Sequence, residues 1–235
     1  MTTRSFRCKA ILFDLDGVLV DSTECVERTW RSWAARLDLN ADDIIGLAHG
    51  RPTRDTVRLI APHLNIEEES AALEAGEAMT SDGIYEISGA RELLESLPRD
   101  SWAIVTSGTR AIAEFRLQLT GLPIPRVLIC ADEIKRGKPD PDGYLTAAAK
   151  LGYSSDECVV IEDAPLGIEA AHAARMRVIA IASTYPGDEL TTANAVVNRL
   201  TDLSISQEPG EIRIDIDSKH ATGKSPMPPT RSIGL

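Results

Sequence analysis

At 235 residues, 43% of them apolar, the chain is long enough for one moderately large domain or a core domain carrying a smaller insert. Its 36 acidic against 25 basic side chains leave a formal charge of -11, which disfavours duplex nucleic acid and anionic membrane surfaces as partners but allows a small anion held by local positive charge. No segment has the long apolar stretch of a transmembrane helix, and no heptad repeat demands a partner, so the chain is expected to be soluble, cytoplasmic and monomeric.

The first predicted element is an apolar strand, Lys9 to Phe13, ending in Asp14-Leu15-Asp16-Gly17. Two carboxylates at the end of a buried strand are costly if dehydrated and unpaired, so they must face water, a cation or both. The plainer reading is a polar turn with Gly17 as its permissive residue. From Glu24 to Leu37, Val26, Trp30, Trp33 and Leu37 recur at helical spacing, and Ser22 stands where it can cap the helix. Shorter helices are predicted at Asp42 to Leu47, Thr53 to Ala61 and Ile66 to Met79, and no strand is legible between about residues 20 and 85.

After a helix at Gly89 to Leu97, strands and helices alternate. Strands are predicted at Trp102 to Val105, Val127 to Cys130, Cys158 to Ile161 and Val178 to Ile181, with helices at Thr109 to Leu119, Pro141 to Leu151 and Leu166 to Ala174 between them. This alternation predicts right-handed crossovers and a mostly parallel sheet covered on both faces. The expected fold is therefore α/β: a Rossmann-like three-layer core with a parallel sheet, interrupted after its first strand by an inserted all-helical cap domain. Residues 1–19 and 87–217 form the expected core, 20–86 the cap. Val196-Val197 suits a short edge strand and Glu211 to Asp217 a half-exposed one, whereas 218–235 turns to Lys, Pro, Ser, Thr and Gly and is expected to be a disordered tail. Cys8, Cys25, Cys130 and Cys158 show no Cys-x-x-Cys spacing and are predicted to be buried free thiols.

Functional groups in a parallel sheet collect beyond the carboxyl ends of its strands. That rule selects Asp14 and Asp16, Thr106 and Ser107, the loop carrying Lys135, Arg136 and Lys138, and Glu162 with Asp163. Several carboxylates at one crevice repel, and a hard Mg²⁺ relieves the repulsion. A phosphate can share that cation and lean on Lys138, the Thr106 hydroxyl and the amides of Ser107 and Gly108. Taken alone, Glu162-Asp163 also suits the start of a helix.

The runs Phe13-Asp14-Leu15-Asp16-Gly17-Val18-Leu19-Val20-Asp21-Ser22, Val105-Thr106-Ser107-Gly108-Thr109, Lys135-Arg136-Gly137-Lys138-Pro139-Asp140 and Ile161-Glu162-Asp163-Ala164-Pro165-Leu166-Gly167 follow in this order. Together they closely resemble the haloacid dehalogenase-like hydrolase superfamily, within it the phosphatases and phosphomutases with a helical cap after the first motif. The resemblance implies that Asp14 takes the phosphoryl group as an aspartyl-phosphate. Asp16 would then protonate the departing alkoxide and later deprotonate water. It implies that Thr106 and the Ser107 amide hold the phosphoryl group and that Lys138 offsets its charge. Mg²⁺ would be bound by Asp14, Asp163 and the main-chain carbonyl of Asp16, with Glu162 acting through water. Dehalogenases of the superfamily lack the residue matching Asp16, so its presence points away from their chemistry.

The cap should select the substrate. His49-Gly50-Arg51-Pro52-Thr53-Arg54 offers a histidine and two arginines whose forks suit vicinal hydroxyls or a second anion, or simple salt bridges to cap acids. Trp30 and Trp33 suit cap packing or sugar stacking. The segments around His49, Thr106 and Glu162 look most like small sugar-phosphate and polyol-phosphate phosphatases of the 2-deoxyglucose-6-phosphate and glycerol-phosphate kind. The implied activity is Mg²⁺-dependent hydrolysis of a small sugar or polyol phosphate. A β-phosphoglucomutase-like phosphomutase and a phosphoglycolate phosphatase remain as alternatives.

Overall fold

A computed structural model describes residues 3–217, and the tail expected over 218–235 lies outside them. The chain opens with β1 (Thr3–Cys8) and then β2 (Ala10–Phe13), every residue of which is buried. Ile11 and Phe13 face one apolar cluster, Ala10 and Leu12 another. A strand covered on both faces needs apolar residues at every position, so the run is continuous rather than alternating.

A two-residue strand, β3 (Val20–Asp21), leads into four helices: α1 (Thr23–Arg36), α2 (Ala41–Ala48), α3 (Thr53–Ile60) and α4 (Ile66–Ala78). Their core holds Trp30 and Trp33 edge to face at 5.4 Å, with Ile44, Val57 and Leu73. Both tryptophans therefore serve cap packing, and the Trp33 indole donates to Glu69 at 2.8 Å. β4 (Tyr85–Glu86) pairs antiparallel with β3 at the base of this unit. That ribbon corrects the expectation of a strand-free segment, since two-residue strands are too short to leave a period. Ser22 does not cap α1 through its side chain; its hydroxyl is drawn instead to Asp16.

The core resumes with α5 (Ala90–Ser96), β5 (Trp102–Val105), α6 (Arg110–Thr120), β6 (Leu128–Ile129), α7 (Asp142–Leu151), β7 (Cys158–Glu162), α8 (Pro165–Ala173), β8 (Arg177–Ile181) and β9 (Ala195–Val197). The parallel sheet runs in the order β6-β5-β2-β7-β8-β9. Side chains of α5 and α6 join the cluster on one face, and those of α7 and α8 the cluster on the other. The result is the three-layer α/β core with an inserted helical cap.

Two further strands, β10 (Leu203–Glu208) and β11 (Glu211–Asp217), form an antiparallel sheet with β1 in the order β1-β11-β10. The alternation Ile212, Ile214, Ile216 announced β11. β1 and β10 escaped prediction because each flanks β11 and carries few large apolar residues, Phe6 and Cys8 in one, Leu203 and Ile205 in the other. All four cysteines are free and buried, as expected.

Candidate active site

Phe13 lies in register with Ile104 of β5 and Ile161 of β7, so the carboxyl ends of β2, β5 and β7 stand side by side. The chain moves from β2 outward to one edge, then returns and builds the other side from β7, which opens a crevice at β2. Asp14 sits in it, 4% exposed, its amide donating to the Ile161 carbonyl at 3.0 Å. The Lys138 ammonium donates to Asp14 Oδ1 at 2.8 Å and to Glu162 Oε1 at 2.7 Å. Burial disfavours the ammonium, but Asp14 and Glu162 outweigh it and hold its pKa well above the ordinary lysine value.

Glu162 is fully buried and saturated. Its Oε1 also accepts from the Tyr144 hydroxyl at 3.1 Å, and its Oε2 accepts from the amides of Asp163 and Ala164 at 2.7 and 2.8 Å. Glu162 thereby anchors Lys138 directly beside Asp14.

Carboxylate oxygens of Asp14, Glu162 and Asp163 lie within 4.8 Å of one another. Burial, followed by Glu162 and Asp16, pushes Asp14 up to about 7 although Lys138 pulls the other way. Burial, then Glu162 and Asp14, likewise raises Asp163 well above the usual carboxylate range. Oδ1 of Asp163 is buried without a hydrogen-bond partner. Gly17 makes the close packing possible: at φ +78°, a Cβ there would stand 2.0 Å from Asp163 Oδ2. An all-oxygen, mutually repelling set with an orphaned buried acceptor fits a hard divalent cation.

Asp16 Oδ1 accepts from Ser22 Oγ and from the Arg116 guanidinium, both at 2.7 Å. Arg116 in turn meets Glu77 of the cap at 2.6 Å. At the end of β5, the Gly108 amide donates to Thr106 Oγ1 at 3.0 Å, leaving the Thr106 hydroxyl proton for another acceptor. The Ser107 hydroxyl donates across the boundary to the Gly50 carbonyl of the cap at 2.9 Å. A cavity of about 660 Å³, open mouth included, is lined by Asp14, Asp16, Thr106, Ser107, Gly108, Arg116 and Asp163 from the core and by His49, Arg51 and Glu77 from the cap.

His49 stands in the cavity wall with Nε2 buried and unpartnered, and burial lowers its pKa, favouring the neutral ring. Arg51 also lines the cavity, its Nε donating to the Leu47 carbonyl at 3.1 Å. Arg54 does not join them. It is 56% exposed and ion-paired with Glu67 at 2.6 Å, so the salt-bridge alternative holds there.

Arg116 and Glu77 were missed, yet each left a sequence signal. Arg116 shares a helical stripe with Ile112, Ala113 and Leu117, and Glu77 one with Ser70 and Leu73, so a charge interrupts a face that is otherwise buried. Tyr144, in contrast, looks like an ordinary apolar position of α7.

A family model described as haloacid dehalogenase-like hydrolase matches residues 11–181. The chain is 39% identical to hexitol phosphatase A of Escherichia coli over 86% of its length and 96% of that protein. It is 35% identical to glycerol-1-phosphate phosphohydrolase 2 of Saccharomyces cerevisiae over 81% of its length and 82% of that protein. A crystal structure of a hydrolase from Pseudomonas syringae superposes with a TM-score of 0.69 at 30% identity, covering 81% of this chain and 93% of that one. Among the described residues, no helix is long and apolar enough to cross a membrane.

Proposed function

The chain belongs to the haloacid dehalogenase-like hydrolases, and from that membership we propose that it hydrolyses the phosphomonoester of a small sugar or polyol through an aspartyl-phosphate on Asp14, with Mg²⁺ as cofactor. The observation that carries this reading is the buried Asp14 carboxylate, held by Lys138 at the floor of a cavity that Asp16 also enters. Relatives named for hexitol and glycerol phosphates, at 39% and 35% identity, support the substrate class.

Asp14 attacks phosphorus while the alkyl oxygen departs with its bonding pair and takes a proton from Asp16. Lys138, the Thr106 hydroxyl and the amides of Ser107 and Gly108 spread the phosphoryl charge. Water then attacks the same phosphorus, giving its proton to Asp16 and returning Asp14 as a carboxylate. Asp14, Asp163 and the main-chain carbonyl of Asp16 would hold Mg²⁺, which reduces repulsion between the anionic reactants when bound. Glu162 contributes by fixing Lys138. His49 and Arg51 face the part of the substrate beyond the phosphate, where a neutral imidazole nitrogen and a guanidinium suit hydroxyl groups. Action as a monomer is part of this reading, and four free, buried thiols suit a reducing, cytoplasmic setting.

The test is phosphate release from glycerol, pentose and hexose monophosphates and from phosphoglycolate, with and without Mg²⁺. Mg²⁺-dependent release from the polyol or sugar phosphates is expected. Preference for phosphoglycolate, or formation of a sugar-phosphate isomer without free phosphate, would overturn the substrate and reaction class.

A further inference from the structure

Arg116 is 2% exposed and Glu77 5%, so both charges depend on the partners they find inside the protein. Had each served only to neutralise the other, one contact would have sufficed. Arg116 instead divides its fork, one terminal nitrogen on Glu77 Oε2 at 2.6 Å and the other on Asp16 Oδ1 at 2.7 Å. Ser22 Oγ adds a second donor to the same Asp16 oxygen at 2.7 Å. Two donors converging on Oδ1 fix the rotation of the carboxylate and leave Oδ2 as the oxygen that exchanges the proton. The three groups come from separate parts of the fold: Asp16 from the loop after β2, Arg116 from α6 of the core, Glu77 from α4 of the cap.

We propose that Arg116 is a positioning residue that orients Asp16 for proton transfer, and that Glu77 completes its seat from the cap, so that the acid is aligned only while the cap is docked. Neither residue touches the phosphoryl group in this scheme. The planar guanidinium holds the two carboxylates on separate nitrogens of a rigid fork, whereas a lysine here would offer a single point charge on a shorter, flexible stem. Docking of the cap thus prepares the step in which the phosphorus–oxygen bond breaks, the pair remains on the alkyl oxygen, and that oxygen receives the proton of Asp16 as Asp14 forms its bond to phosphorus. The inference rests on the phosphatase reading above.

The experiment compares glycerol phosphate, whose alkoxide needs a proton to depart, with p-nitrophenyl phosphate, whose phenolate leaves without one. The parameter is kcat/KM, which reports only the steps up to departure of the leaving group. The wild type, E77A, E77Q and R116K are measured with Mg²⁺ present. In E77A and R116K, the alkyl-to-aryl ratio of kcat/KM should fall at least about 10-fold, since small misplacement of a reacting group costs up to about 100-fold. E77Q keeps an acceptor of the same shape and should stay within about 3-fold of the wild-type ratio. A ratio is insensitive to the fraction of each variant that folds, so loss of protein does not imitate the effect. A smaller fall in E77A and R116K, or an equal fall in E77Q, overturns the positioning role while leaving the phosphatase reading intact. A wild type that releases phosphate from neither compound, nor from the pentose and hexose phosphates, overturns both.

Discussion

Asp14, Asp16, Glu162 and Asp163 are four carboxylates at one crevice with four different surroundings. Lys138 contacts Asp14 and Glu162, Arg116 and Ser22 contact Asp16, and Asp163 keeps an orphaned oxygen. In the mechanism we propose, these different partners let one residue type serve as nucleophile, acid and base, anchor, and cation ligand. Because Asp14→Asn preserves shape and removes a buried charge, it should leave the thermal melt close to that of the wild type. It should lower kcat at least about 1,000-fold, and steady-state phosphate release near the normal rate would count against Asp14 as nucleophile. Burial pushes the thiols of Cys8, Cys130 and Cys158 up to about 12 and also raises that of Cys25. At pH 8 a thiol-reactive chromophore should therefore titrate almost none of the four in the native protein and all of them in denaturant.

At the scale of elements, the small sheet β1-β11-β10 braces the core away from the site. Ile212, Ile214 and Ile216 of β11 enter the same apolar cluster as Leu93, Leu94 and Leu117 of α5 and α6. Ile214 is fully buried, and Ile214→Ala should cost about 2–5 kcal/mol by urea unfolding. It should lower Tm by roughly 2–4 °C for each kcal/mol. Since β11 contributes nothing to the cavity wall, KM at a temperature where the variant is folded should remain at the wild-type value. A large KM change would mean that this sheet controls the crevice directly.

At the scale of the whole molecule, the cap and core meet through Arg116 with Glu77 and Ser107 with Gly50, and also through a carboxylate repulsion. Burial, then Glu77, Asp132 of the core and Glu67, push Glu74 of α4 up from 4.5 to about 7. Below pH 4.5 this side chain is protonated in folded and unfolded chains alike; between 4.5 and about 7 the unfolded chain releases a proton that the folded chain keeps. Its contribution to stability therefore falls as pH rises through that window. Glu74→Gln should flatten that part of the stability profile and raise Tm at pH 8, and an unchanged profile would show that Glu74 is solvated in both states.

The α/β alternation, the inserted helices, the apolar strands and the strand-end residues Asp14, Thr106, Lys138, Glu162 and Asp163 were legible in the amino-acid order, because periodicity and strand ends are local properties that chain order preserves. β3 and β4 were invisible at two residues each, and β1 and β10 at one weak apolar face each. It took the packed chain to show that Ser22 serves Asp16 rather than α1, that Arg54 leaves the cavity while His49 and Arg51 remain, and that Arg116 and Glu77 meet across the boundary of cap and core. Glu77 and Arg116 are separated by 39 positions, and Lys138 and Asp14 by 124. A contact over such distances depends on how helices dock and which buried charge needs a partner, and that is settled by packing in three dimensions.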